Sequence, residues 1–368
     1  MVMVNEPLLH GNERKYLNEC IDTGWISSEG PFVKKFEKQM AHYIGRNYAT
    51  ACSSGSAALD IAVLALNLQI GDEVIMPSFT IISCAQALTK AGVRPVLVDS
   101  HYDTFNMKVD DIESKITKQT KAIMIVHMFG LTADVDPIIQ LAKKYKLKVI
   151  EDAAQMIGQD YKGKKCGSFG DVSIFSFYPN KHITTGEGGM VLCNDSLLDE
   201  RAKELRNLCF GEQRFVHEKI GFNYRMTNMQ AALGVAQLEK IDEVVKKKKW
   251  IGGKYNELLQ DLQTVNLPIK NTSYCNNIYW VYAITLKDEC SKTAKQVMTE
   301  LADYQIGTRP FFYPMHQQPV FNRDGLFLQD KLPISEKLYE NGFYIPSGLA
   351  LTNGQVKEVS EALHKVLL

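Results

Sequence analysis

Between about residues 49 and 194 the chain alternates short, nearly continuous apolar runs with stretches of helical periodicity. The runs at 49–52, 73–76, 95–98, 122–126, 148–151, 173–177 and 190–193 are short and rich in β-branched residues, so they predict seven strands. Most are apolar at successive rather than alternate positions, which requires both faces of the sheet to be covered. Helical segments at 57–68, 81–91 and 137–144 separate them, so the connections are right-handed crossovers and the sheet is mainly parallel. The expectation is an α/β domain with a seven-stranded sheet between helices. After residue 194 the pattern changes to helices at 196–207 and 227–262, a strand at 279–285, a helix at 294–304 and a last helix opened by Thr352, with Gln355 completing a capping box. The long helix reads as a bridge, dividing the chain into an N-terminal arm with a large domain (1–235) and a smaller α+β C-terminal domain (236–368).

Composition narrows the classes of function. With 368 residues, 45% of them hydrophobic and 23% charged, the chain can fill a large core. Lys and Arg number 42 against 42 Asp and Glu, so the excess of positive charge that non-specific nucleic-acid or anionic-membrane binding requires is lacking. No window approaches the roughly 20 apolar residues of a membrane helix, and the first residues do not resemble a signal peptide. The eight cysteines are scattered without a CxxC pair, as expected of reduced thiols in a cytoplasmic protein, and no His or Cys spacing suggests a metal site. The basic run at 246–249 follows Glu239, Asp242 and Glu243 and reads as a solvated helix face.

Three segments carry chemistry. Ser53-Ser54-Gly55-Ser56-Ala57 lies between a strand and a helix, where small residues and unpaired helix N–H groups can cradle an anion; a strand-to-helix turn with a Ser N-cap reads the same way. The strand ending in Glu151-Asp152-Ala153-Ala154-Gln155 puts a carboxylate at the carboxyl edge of the sheet, where ligands of α/β proteins collect; Asp152 can serve a protonated pyridine nitrogen or cap the next helix. In the run 175–189, Lys181 sits between aromatic, hydroxyl and glycine residues rather than in polar company, which suits an amine of depressed pKa. A nucleophilic lysine, an aspartate 29 residues before it and an anion cup together describe a site for pyridoxal 5′-phosphate (PLP).

The motifs SGSAAL, GDEVIMPSFT, EDAAQ, SFYPNKHITTGEGGM, GFNYRMTNMQAALGVAQLE and RPFFYPMH resemble the DegT/StrS family of nucleotide-sugar aminotransferases, PLP enzymes of the type I aspartate-aminotransferase fold, over nearly the whole chain. The resemblance implies that Lys181 forms the Schiff base and moves protons, that Asp152 keeps the pyridine nitrogen protonated, and that Gln155 lies near the ring hydroxyl. It also implies phosphate contacts from Gly55, Ser56 and Ser176, and from Asn223 across the interface of a homodimer. Arg309 and His316 fall in a segment that approaches the sugar and the donor carboxylate, while Trp25 and Ser27 lie near the entrance or serve only the fold. The implied substrates are L-glutamate and a 4-keto-6-deoxyhexose linked to GDP, dTDP or UDP, the opening segment NERKYLNECIDTGWISS and RPFFYP favouring GDP. Two positions depart from the family pattern: Ile81 stands where an aromatic residue commonly stacks on the pyridine, and the cup reads SGS rather than NGT or SGT. The alternatives are a ketosugar 3-dehydratase, in which histidine replaces the lysine, and a non-catalytic regulatory member of the fold. The spacing from Pro179 to Gly186 puts Lys181, not His182, in the nucleophile's place.

Overall fold

The alternating clusters to which neighbouring strand residues belong show how the apolar runs are used. In the computed structural model, which describes residues 1–211, 213 and 215–367, Val74 and Met76 enter one core while Ile75 enters another, and Met124 is separated in the same way from Ile123 and Ile125. Both faces of the sheet are therefore dry, as continuous apolar strands require. The strands are β1 (Tyr48–Cys52), β2 (Glu73–Pro77), β3 (Arg94–Val98), β4 (Thr120–Val126) and β5 (Lys148–Asp152). A hairpin of β6 (Asp160–Tyr161) and β7 (Lys164–Lys165) follows, then β8 (Val172–Ser176) and β9 (Gly189–Cys193).

Excluding the β6–β7 hairpin, these strands form a seven-stranded sheet in the order β1-β9-β8-β5-β4-β2-β3. Every pairing from β8 to β3 is parallel, whereas β9 runs antiparallel to both of its neighbours. That single reversal has a consequence for the site. The connection from β8 to β9 turns back at the carboxyl edge of the parallel strands, which is also where β5 ends at Asp152 and β1 ends at Cys52. All three chemistry-bearing segments therefore meet at one edge.

A second, antiparallel sheet contains β10 (Val265–Asn266), β11 (Tyr282–Leu286), β12 (Arg309–Pro310) and β13 (Gly342–Ile345) in the order β10-β11-β13-β12. Helices Ile241–Leu258, Ala294–Asp303 and Asn353–Leu367 cover it, burying Tyr255, Tyr282, Leu301, Phe343 and Leu363. The capping box at Thr352 forms: its N–H and hydroxyl both donate to Gln355 Oε1, and Gln355 N–H donates back to Thr352 Oγ1.

Several boundaries differ from the sequence expectation. The helix expected at 227–262 is two helices, Asn228–Leu238 and Ile241–Leu258. Neither proline nor glycine marks the break, where Glu239 is drawn to Asn12 (2.7 Å) and Tyr16 (2.8 Å) of the N-terminal segment. The strand expected from 279 begins at Tyr282, because Tyr279 takes a positive φ of 52° and its N–H bonds Asn277 Oδ1. Helices Glu13–Thr23 and Pro31–Ile44 were not anticipated. The first of these buries only Glu13 and Cys20, so it carries no apolar stripe to read. No helix among the described residues is long and apolar enough to cross a membrane.

One buried cation braces the turn that leads into β8. Arg46 donates to the carbonyls of Gly167 (2.9 Å), Phe169 (2.5 Å) and Gly170 (3.1 Å), while Glu151 accepts the N–H groups of Gly167 (2.5 Å) and Phe169 (2.8 Å) from within the core. Arg46→Met keeps the apolar stem but leaves three carbonyls and a buried carboxylate without their cation. It is expected to lower unfolding stability by about 3 kcal/mol, read as a fall in the urea midpoint with an unchanged slope.

Candidate active site

The helix Gly55–Ala65 begins where the chain leaves β1, and its first turn builds an anion cup. Ser54 is extended and caps the helix, its Oγ accepting Ala57 N–H at 3.1 Å, so the capping role and the cup coexist. The N–H groups of Gly55 and Ser56 belong to the first turn, which lacks intrahelical acceptors and carries the positive end of the dipole. Hydroxyls surround it: Ser56 Oγ and Ser83 Oγ are 2.8 Å apart, and Ser176 closes the side. Only glycine fits at two points. A Cβ on Gly55 would lie 2.7 Å from Ser176 Cβ, and one on Gly189 would lie 2.2 Å from the Ser54 carbonyl oxygen.

These groups, with Asp152, Gln155 and Lys181, line one cavity of about 320 Å³. Asp152 is 3% exposed; its Oδ1 accepts Ala154 N–H (3.0 Å) and its Oδ2 accepts the Cys84 thiol (3.2 Å). Burial pushes its pKa up, against the pull of those two donors and of the Lys181 charge. Because the bond to Ala154 closes a local turn rather than capping a helix, the carboxylate remains at the cavity wall. Burial pushes the Lys181 amine down to about 7, with Asp152 pulling the other way. Its Nζ lies over the Trp280 indole, 3.8 Å from the ring centroid. Gln155 Oε1 is taken by Phe129 N–H (2.5 Å), which leaves its Nε2 to donate. The cavity thus offers a nucleophilic amine, a carboxylate suited to a protonated ring nitrogen, an amide donor and an anion cup. Those are the groups that PLP needs.

Other candidates lie elsewhere. Asn223 is exposed, outside this cavity, and accepts from Arg225 Nε (3.0 Å). Trp25 and Ser27 are also exposed and outside it, and their carbonyls hold Asn228. Arg309 lines an adjoining cavity of about 440 Å³ that shares Tyr178, Asn180 and Tyr344 with the first. His316 is buried away from both cavities, between Ser78 Oγ (2.8 Å) and Glu336 (2.9 Å). His182 is wholly buried beside Lys181 and does not line the cavity, whereas Lys181 does. Ile81 lines the cavity wall, 40% exposed.

Sequence reading missed Ser83, Cys84 and Trp280. The first two open a helix after the PSFT turn, where a serine and a cysteine look like ordinary helix residues; Trp280 lies 99 positions from the lysine it touches. A buried trio of His127, Glu151 and Cys166 has metal-ligand chemistry, its donor atoms within 4.8 Å of one another. The His127 and Glu151 atoms are already committed to each other (3.2 Å) and to the backbone N–H groups of Ala133, Gly167 and Phe169, so the cluster reads as a structural knot.

A mainly parallel seven-stranded sheet with this lysine, aspartate and phosphate cup at its carboxyl edge defines a PLP-dependent aminotransferase. A family profile described as the DegT/DnrJ/EryC1/StrS aminotransferase family matches residues 7–364, and the chain belongs to that family. It is 42% identical over 365 residues to a GDP-perosamine synthase of Escherichia coli O157:H7, covering 99% of this chain and 98% of the relative. Identity is also 42% to a GDP-perosamine synthase of Caulobacter vibrioides, over 100% of this chain and 98% of the relative. The crystal structure of the aminotransferase TlmJ from Streptoalloteichus hindustanus superposes with a TM-score of 0.92 at 26% identity, covering 100% of this chain and 99% of that one.

Two measurements test the site. In cofactor-free protein, competitive acylation read by mass spectrometry should show Lys181 titrating near 7 rather than at its ordinary 10.5. Asp152→Asn should move that titration lower still, since the carboxylate is what favours the ammonium. Gly55→Ala should weaken PLP binding at least about tenfold, measured by titration of the apoprotein, because the cup must open to admit a methyl group.

Proposed function

We propose that this protein transfers the amino group of L-glutamate to the 4-keto carbon of a GDP-linked 4-keto-6-deoxyhexose, the reaction of a GDP-perosamine synthase in the supply of sugars for surface polysaccharide. The cofactor part of this reading rests on the convergence of Lys181, Asp152 and the serine cup in one cavity. Its substrate part rests on full-length similarity to two enzymes of that name.

PLP supplies a carbonyl that accepts the amino group and a ring that takes up the electron pair left on the donor's α-carbon. Gly55, Ser56, Ser83 and Ser176 would hold its phosphate through N–H and hydroxyl donors, with no cationic side chain needed. Asp152 would accept the ring N–H; its buried carboxylate gains a charged partner and keeps the proton in place. Gln155 Nε2 is the donor available to the ring hydroxyl. Ile81 would give the ring aliphatic contact. Lys181, neutral in a large fraction of molecules near pH 7, takes the proton from the α-carbon of glutamate in one half of the reaction and delivers a proton to the sugar's C4 in the other.

The enzyme works as a homodimer in the cytoplasm. The exposed apolar residues Trp25, Ile26 and Ile220 and the exposed Asn223 support a partner that completes the cup, and the eight free cysteines fit a reducing compartment.

With glutamate and GDP-, dTDP- and UDP-4-keto-6-deoxyhexoses supplied in parallel, the GDP sugar should give the 4-amino product by mass at the highest kcat/KM. Turnover of only the dTDP or UDP sugar would overturn the substrate assignment, and a 3-deoxy product would overturn aminotransfer. Lys181→Ala should lower kcat by about ten-thousand-fold.

A further inference from the structure

Trp280 is fixed at every polar group it has. Its N–H donates to Phe129 O (3.1 Å), its indole Nε1–H donates to Asn180 O (2.7 Å), and its own carbonyl accepts from Lys248 Nζ (2.7 Å). The ring also stacks on Phe129, with centroids 6.1 Å apart at 24°. Lys248 is 1% exposed, and its Nζ also donates to Ser347 O (2.6 Å). No carboxylate pairs with it among the described residues. A buried lysine without a counter-ion costs stability, and an apolar side chain of similar volume would fill the space at less cost. What this lysine provides is a grip on two carbonyls from separate segments, one of them that of Trp280.

The fixed indole meets the catalytic loop twice. Its ring face lies 3.8 Å from Lys181 Nζ, and its N–H holds the carbonyl of the residue before the lysine. Building on the aminotransferase reading above, we propose that Trp280, clamped by Lys248, is a positioning residue that holds the Lys181 amine against its ring whenever that amine is not covalently engaged. A lysine chain has four rotatable bonds, and a proton acceptor that wanders loses the advantage of proximity. The ring face restrains the chain through dispersion and through attraction for the ammonium form. It does so without a hydrogen-bond acceptor that would compete for the proton.

The test uses full-length protein in its pyridoxamine-phosphate form, labelled with [13Cε]lysine. The Lys181 methylene, assigned by its absence in Lys181→Arg, should resonate upfield of the other lysines because of the indole ring current. The shift should persist in Trp280→Phe, shrink in Lys248→Met and vanish in Trp280→Leu. A Lys181 signal at the ordinary lysine position in wild type, or one unmoved by Trp280→Leu, would overturn the proposal. The second readout is the half-reaction with α-deuterated glutamate. Trp280→Leu should slow it about ten- to hundredfold and raise the deuterium isotope effect, leaving the glutamate KM within about twofold, with Trp280→Phe restoring much of the rate. Slowing without a change in isotope effect would mean a role in folding alone and would also overturn the proposal. Absence of any reaction with glutamate in wild type counts instead against the proposed function, since the resonance shift does not depend on turnover.

Discussion

The site depends on a contact too close for any side chain. Where β1, β9 and β8 lie side by side, Cys52, Gly189 and Ser176 face one another across the sheet, and the Ser54 carbonyl and Gly55 pack onto this row. Contact at that distance is possible only with glycine at positions 55 and 189. It draws the start of the helix Gly55–Ala65 down onto the strand ends, so that its free N–H groups, the Ser176 hydroxyl and the return loop with Lys181 share one cavity. The reversed strand β9 is what makes this possible. A parallel β9 would need a long crossover after Ser176, and Lys181 would be carried away from the carboxyl edge.

Two buried ionisable groups then set the chemistry. Burial raises the pKa of Asp152 and lowers that of Lys181, while the charge of each opposes the shift of the other. Both shifts push toward neutral forms, because burial penalises the charged state of each group. The carboxylate is held by weak donors, a thiol and one backbone N–H, rather than by an arginine. An arginine there would neutralise the carboxylate by direct pairing.

How much could be read from the sequence follows from whether a signal is local. The strands were legible because most are buried on both faces and show nearly continuous apolar runs, and the cup, the aspartate and the lysine were legible because each lies at or shortly after the end of a strand. Residues whose role comes from distant contacts were not. Trp280 looks like one more aromatic residue of the strand expected at 279–285, and Ser83 becomes part of the cup only because its helix packs beside the helix of Ser56. The break at 239–240 is invisible for the same reason, as the partners of Glu239 lie more than 200 residues away. His316, whose segment looked like a ligand contact, instead bridges Ser78 to Glu336 and joins the end of β2 to the C-terminal region.

The loop that carries Lys181 shows the limit of local reading most clearly. Within the loop, Lys181 N–H bonds Tyr178 O at 2.9 Å, which makes a turn but does not orient it. Orientation comes from outside. Asn5 Nδ2 donates to Pro179 O (2.9 Å), from a strap whose Val4 and Glu6 carbonyls are bonded by Ser347 and Ala350, while Trp280 holds Asn180 O from the other side. Successive carbonyls of the loop are thus held by the first residues of the chain and by a residue a hundred positions later. Such contacts have high sequence separation and bear a full loop-closure cost before they form. Lys181 therefore reaches this geometry only after the N-terminal strap and the segment around β11 have docked, so its placement is completed by the global fold rather than by its own motif.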